Sequence, residues 1–170
     1  MIKIETLKSE DLQNTIKFIL ACINSDFNLD FNPNWHDDVI NLEKYYLSSP
    51  SSSCFFIAKE GNEIVGTIGL RPYGHTFSEL DKDINKENTL SVCRHFVKKD
   101  LRGKGIGKKL FEIAEKFAES THYKRLYLHT QKNVPGSFEY WLKRGFTTIL
   151  ENKIDPMQTV HMEKLIPQSK

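Results

Sequence analysis

Within Arg102-Gly103-Lys104-Gly105-Ile106-Gly107 three glycines occupy alternate positions, and Lys108 and Lys109 follow at once. Glycines so spaced let a backbone turn tightly and approach a ligand with no side chain in the way. The amphipathic run that follows, Leu110 to Ala118, predicts a helix whose unpaired N–H groups and positive dipole end point back into the turn. A polyphosphate suits such a place, and one arginine and three lysines surround it in the sequence. Gly105 and Gly107 are poor helix formers at the very start of that helix, and its cations oppose its own dipole. Two broken local rules in one place point to a ligand. Upstream, Cys93 and His95 alternate on a strand-like run, so both are expected on one face. An imidazole of intrinsic pKa about 6.5 accepts a proton near neutral pH. His95 is therefore either a base or a strand histidine packed beside the ligand. Cys93 reads as a buried structural thiol.

Two common phosphate signatures are absent. The GxxxxGK[ST] loop fails because Lys109, not a hydroxyl residue, follows Lys108. The GxGxxG dinucleotide fingerprint fails because Lys108 stands where its third glycine belongs.

What fits is the R/Q-x-x-G-x-G/A signature of the GNAT superfamily of N-acetyltransferases, with Arg102, Gly105 and Gly107 in its defining positions. Arg94-His95-Phe96-Val97 resembles the family's fourth strand. Tyr140-Trp141-Leu142-Lys143-Arg144-Gly145-Phe146 resembles its F-Y-x-K-x-G-F segment. The resemblance covers about residues 90 to 150. It implies a GNAT fold of the α/β (α+β) class: a central mixed, mostly antiparallel sheet of six to seven strands with about four helices. It also implies acetyl-CoA as acyl donor. The pyrophosphate would be held by Arg102, Gly103, Lys104, Gly105, Ile106, Gly107 and Lys108. The pantetheine arm would lie along the backbone of His95, Phe96 and Val97, with Asn133 also on the cofactor side.

The same resemblance exposes departures. Where some members carry a general-base glutamate, eleven residues before the motif, this chain has Ser91, leaving His95 as the candidate base. Where the family has its acid tyrosine stands Trp141, and Tyr140, the candidate acid, lies one residue earlier. One residue rotates a helical side chain by about 100°. The family's asparagine position falls on Val134, beside Asn133. Phe31, Trp35, Tyr73 and Glu79 lie in the segments that face the acceptor in the family. The reaction implied is acetyl transfer to a primary amine of a small or amino-acid-like molecule by direct attack in a ternary complex. A peptide or protein amine, or a non-catalytic acyl-CoA sensor, are the alternatives.

The elements that must position these groups follow from hydrophobic period. Ile2–Leu7 alternates as a strand, and Ser9-Glu10-Asp11 starts a helix with Leu12, Ile16, Ile19, Leu20 and Ile23 on one face. A second helix is expected over Trp35–Leu47. A hairpin is expected from strands over Phe55–Lys59 and Ile64–Leu70. Strands over Leu90–Val97 and Leu126–Leu128 flank the glycine loop and its helix. That helix should bury Ile106, Leu110, Ile113, Ala114, Phe117 and Ala118. A last helix begins at Pro135-Gly136-Ser137, with proline in its first turn. Strands over Phe146–Leu150 and Thr159–Lys164 end the chain. The order is β-α-α-β-β-β-α-β-α-β-β.

Composition bounds the rest. The 170 residues read as one domain, 1–170, with 39% hydrophobic and 27% charged residues. A net charge of +2 gives no reason to expect a nucleic-acid partner. No apolar run approaches the roughly 20 residues of a membrane span. Cys22, Cys54 and Cys93 are scattered and odd in number, reading as reduced thiols of a cytoplasmic protein. The six histidines lack ligand spacing, so no metal is expected. Pairing of the C-terminal edge strands would give the homodimer that family habit implies.

Overall fold

The computed structural model describes residues 1–168 apart from 75, 76, 78, 79 and 81–83. Its strands are β1 (Ile2–Thr6), β2 (Cys54–Glu60), β3 (Glu63–Pro72), β4 (Thr89–Val97), β5 (Arg125–Gln131), β6 (Thr147–Glu151) and β7 (Thr159–Leu165). Its α-helices are α1 (Leu12–Phe27), α2 (Pro33–Ile40), α3 (Ile106–Glu119) and α4 (Ser137–Lys143). The element order is the one the hydrophobic pattern predicts. The strands form a mixed sheet in the order β1-β2-β3-β4-β5-β7-β6.

Two compact units share β4. The first holds Met1–Arg71 and Val92–Thr121; the second holds Pro72–Ser91 and the chain from His122 onward. In the first unit β1 pairs antiparallel with β2 and β2 with β3, closed by the tight turn at Gly61-Asn62. Phe55 and Ile57 of β2 join Ile19 and Ile23 of α1, Val39 of α2, Leu42 and Tyr46 in a buried cluster. Ala58 points to the other face with Gly66, where Leu110 of α3 presses in. Helices therefore cover both faces of this unit's sheet. Period-two alternation produces that arrangement, because successive β2 side chains serve different helices.

Several expected boundaries move. The helix expected over Trp35–Leu47 is α2 plus a separate π-helical turn, Glu43–Leu47. It starts earlier because Asn32 caps it, its side chain accepting from the Asn34 N–H at 2.9 Å, and Pro33 takes the first helical position. α3 buries Ile106, Leu110, Phe111, Ala114 and Ala118, while the expected Ile113 and Phe117 are only half-buried. Pro135 precedes α4 rather than sitting in its first turn, since Gly136, at φ 80°, occupies the cap.

In the second unit β5 runs parallel to the start of β4 and antiparallel to β7, which pairs antiparallel with β6. Its core gathers Tyr73, Leu80, Ile84 and Tyr127, with Phe77, Ile149 and Leu150 packed against them. No helix among the described residues is long and apolar enough to cross a membrane.

Candidate active site

In the first unit the glycine loop is built as the sequence predicts. Gly103 and Gly105 take left-handed backbones, φ 78° and 81°, which a side chain would strain. Gly105 is the cap of α3, and no side chain satisfies the helix's first N–H groups. Those donors at Ile106, Gly107 and Lys108 are left open by helix geometry itself.

The charges around the loop are partly committed. Arg102 turns its guanidinium back on the fold, donating from Nε to the Val97 carbonyl at 2.9 Å and from Nη2 to Asp26 of α1 at 2.5 Å. Arg102, one of the residues expected to hold the pyrophosphate, thus has its charge paired with Asp26. Lys108 approaches Glu112 at 3.7 Å, one helical turn on. Lys104 and Lys109 line a surface groove against Ile2 and Ile4 of β1, with Ile106, Ile113 and Lys116.

β4 departs from simple alternation. Arg94 has φ 51°, a left-handed backbone rare for a residue with a Cβ. Its effect is a change of phase. Cys93 and Phe96 both pack against the cluster under α1 and α2. His95 and Val97 instead face α3, where the Gly107 Cα side meets the His95 ring and the Val97 methyl. The expectation that Cys93 and His95 share a face is thus overturned. Sequence period cannot reveal a single left-handed residue that is not glycine. Phe96 also stacks edge-on with Phe27, ring centres 6.4 Å apart, so only its backbone is available on the other side.

His95 has a defined orientation. Its Nδ1 lies 3.2 Å from the Thr67 carbonyl oxygen. A carbonyl can only accept, so Nδ1 carries the proton and a neutral ring keeps Nε2 as its basic atom. Thr67 also donates to the Arg94 carbonyl at 2.7 Å, holding the break in the strand.

Arg94 anchors a polar network that the sequence reading missed. Its Nε and Nη2 bond both oxygens of Asp38 at 3.0 and 2.6 Å, and Nη2 also donates to the Trp35 carbonyl at 2.7 Å. Tyr46 donates to the same carboxylate at 2.8 Å. Burial raises the Asp38 carboxyl's pKa, but the hydrogen bonds and charge of Arg94 outweigh it, so the net direction is downward. Burial pushes the Cys93 thiol up, which keeps it protonated and unsuited to nucleophilic work. Cys22 and Cys54 are pushed up to about 12, chiefly by burial, and none of the three is in a disulfide. An i, i+1 acid followed by a distant arginine gives no local signal, so this pairing was invisible in the chain.

Of the other expected acceptor-side residues, Phe31 and Trp35 are exposed, at 47% and 63%, with Phe31 against the His36 ring. In the second unit Tyr73 is buried edge-on to Tyr127, ring centres 4.9 Å apart. Glu79 lies outside the described residues. Ser91 is buried. Asn133 is exposed in the turn before α4. Tyr140 is half-buried, with the Arg144 guanidinium 5.2 Å from its ring centre. Trp141, at the family's tyrosine position, is buried against Phe146 at 5.3 Å. Tyr127 and His161 form a buried hydrogen bond of 2.7 Å that histidine spacing alone did not suggest. No cluster among the described residues could hold a metal.

The fold is that of solved acetyltransferases. An acetyltransferase of the GNAT family from Staphylococcus aureus Mu50 superposes with TM-score 0.78 at 23% identity, covering 98% of this chain and 100% of that one. The PaiA N-acetyltransferase from Thermoplasma acidophilum, solved in complex with coenzyme A, gives 0.70 at 20% identity, covering 97% and 99%. The family model described as acetyltransferase (GNAT) family matches residues 20–146, and the chain belongs to that family. Among curated relatives, mouse N-acetyltransferase 8 is 29% identical over 120 residues, 71% of this chain and 49% of that protein. Human N-acetylaspartate synthetase is 30% identical over 111 residues, 65% of this chain and 33% of that protein. The chain thus spans half or less of the length of these relatives.

Proposed function

We propose that this chain is a single acetyltransferase domain that moves an acetyl group from acetyl-CoA to a primary amine of a small, amino-acid-like molecule. The observation that carries the reading is the uncapped start of α3, opened by two left-handed glycines and lying against the His95–Val97 edge of β4. Family membership supports the donor, and the names of the relatives, one a synthetase of N-acetylaspartate, support the acceptor class.

On this reading the N–H groups of Gly103 to Lys108 take the pyrophosphate, with Lys104 and Lys108 adding charge. Arg102, which also fixes the loop through Asp26, stands beside the phosphates. The backbone of His95, Phe96 and Val97 holds the pantetheine arm, and Asn133 contributes from the turn before α4. Phe31 and Trp35 offer exposed aromatic surface for the acceptor, with Tyr73 and Glu79 assigned to the same role.

The reaction needs a neutral amine and a protonated leaving thiol. The amine nitrogen bonds to the thioester carbonyl carbon as the carbon–sulfur bond breaks. Nε2 of His95 receives the ammonium or attacking-amine proton, directly or through a water. Tyr140 supplies a proton to the departing thiolate, a leaving group of pKa about 8.5 that needs modest help. Holding donor and acceptor together supplies much of the acceleration. Thiol release from acetyl-CoA across a panel of amines tests the reading. Tight CoA binding with no release on any amine would favour an acyl-CoA-binding module.

A further inference from the structure

Beneath α2 and the Glu43–Leu47 turn the first unit holds two guanidiniums and one inner carboxylate. Asp38 is spent: Arg94 takes both its oxygens and Tyr46 donates to one of them. Arg71, at the end of β3, receives no such partner. Its guanidinium carbon lies 5.0 Å from the centre of the Tyr45 ring, and its Nε is buried with no hydrogen-bond acceptor. Among the described residues no carboxylate lies within ion-pair distance of it, and its hydrogen-bonding neighbour is the Cys93 thiol. At the rim, Asp37 is engaged by Tyr45 and Asn41, while the Lys44 Nζ lies 5.0 Å from the centre of the Tyr45 ring. Asp37 and Lys44 offset each other, beside the exposed Glu43. Among the described residues the inner charges, Arg71, Arg94 and Asp38, leave one cation over.

A half-buried guanidinium without an anion is costly, and its planar fork matches a carboxylate's two oxygens. The Tyr45 ring, 5.0 Å from the guanidinium carbon, holds that fork in place by cation–π attraction. We propose that Arg71, set over the Tyr45 ring, is the anchor for a carboxylate carried by the acceptor amine, making this chain selective for amino acids over simple amines. The inference rests on the acetyl-transfer reading and deepens it by naming the acceptor class. Asp38 and Arg94 are positioning residues: by consuming each other they keep Arg71 from collapsing onto Asp38.

The test pairs each amino acid with the amine lacking its carboxylate and measures CoA release with the wild type, Arg71→Met and Arg71→Lys. The wild type should favour the acids in kcat/KM by about 10- to 100-fold, the worth of a charged two-point contact. In Arg71→Met that ratio should fall toward one through a higher KM for the acids. Arg71→Lys should recover only part of it, because an ammonium lacks the fork. Circular dichroism identifies a variant that fails to fold, in which case Arg71→Lys carries the comparison. A wild type indifferent to the carboxylate, or an Arg71→Met that keeps the preference, overturns the proposal. Thermal shifts with the same acids and amines separate the two readings if no amine releases CoA. Acid-specific stabilisation that disappears in Arg71→Met would uphold the anchor while removing acetyl transfer. No acid-specific stabilisation would remove the anchor.

Discussion

Gly107 of α3 lies directly against the imidazole of His95: a Cβ built there would stand 3.3 Å from Nε2 and 3.4 Å from a Val97 methyl. The second glycine of the signature therefore makes room, whereas Gly105 supplies backbone conformation. Alanine at 107 should be tolerated, since its better helix propensity, about 1 kcal/mol, offsets slight crowding. Gly107→Val should displace His95 and raise the KM for acetyl-CoA about tenfold, the order of a misplaced contact at a reacting centre. Calorimetric CoA binding checks it; a valine variant with wild-type affinity would show that this contact positions nothing.

Arg102 and Asp26 should behave as one unit. Arg102→Ala and Asp26→Ala are each expected to lower stability by about 1 kcal/mol, and the double variant by little more than either alone. Additive losses in urea denaturation would mean that the 2.5 Å pair contributes nothing.

Asp38→Asn leaves the Arg94 guanidinium without its carboxylate and should cost about 3 kcal/mol, in the range for breaking a buried pair. The pH dependence has a fixed sign. A carboxyl whose folded pKa lies below its unfolded value stabilises the fold above about pH 4 and loses that stabilisation as pH falls through the folded value. The acid limb of the stability curve should flatten in Asp38→Asn, as followed by thermal unfolding between pH 5 and 3.

His36 gives a second, milder limb. Burial and then the Arg94 charge lower its pKa, and its Nδ1 accepts the Asn32 N–H at 2.9 Å, which requires an unprotonated nitrogen. The unfolded chain binds that proton first, so stability should drop as pH falls below about 6.5. His36→Gln should reduce the slope of melting temperature between pH 7 and 5.5. An unchanged slope would assign it to other histidines.

How far the chain could be read differs from element to element. The element order, the glycine loop and the α1 stripe around Ile19 and Ile23 follow from period and glycine placement, which are local properties. The start of α2 was misplaced because Asn32-Pro33 is a capping signal that the exposed Trp35 obscured. Phe111 escapes the α3 pattern because helical spacing from Ile106 favours Ile113 and Phe117, whereas the packed helix buries Phe111. Within the candidate site, the backbone donors were legible, since they depend on glycine and helix polarity. The Arg94–Asp38 and Arg102–Asp26 pairs were not, because each joins residues 56 and 76 positions apart. Long-range pairing leaves no trace in sequence spacing.

Tyr140→Phe should lower kcat tenfold or more with little change in the KM for acetyl-CoA, as expected for loss of an acid used only in the transition state. Trp141→Phe should instead lower stability, since that indole is buried against Phe146. A Tyr140→Phe enzyme with nearly full turnover would remove Tyr140 from the acid role.

The left-handed Arg94 also determines which genetic changes this strand can survive. It works as a frame shift within β4: Cys93 before it and Phe96 after it, three residues on, serve the same apolar cluster. Substitutions along the strand preserve that frame. Loss of the Arg94 codon alone would restore plain alternation with His95 still toward α3 and Phe96 still in the cluster; it is straightening of the backbone at a retained residue 94 that would turn the imidazole to the oily side and bring Phe96 out. The left-handed turn at residue 94, so long as that residue is present, is what this segment must inherit unchanged.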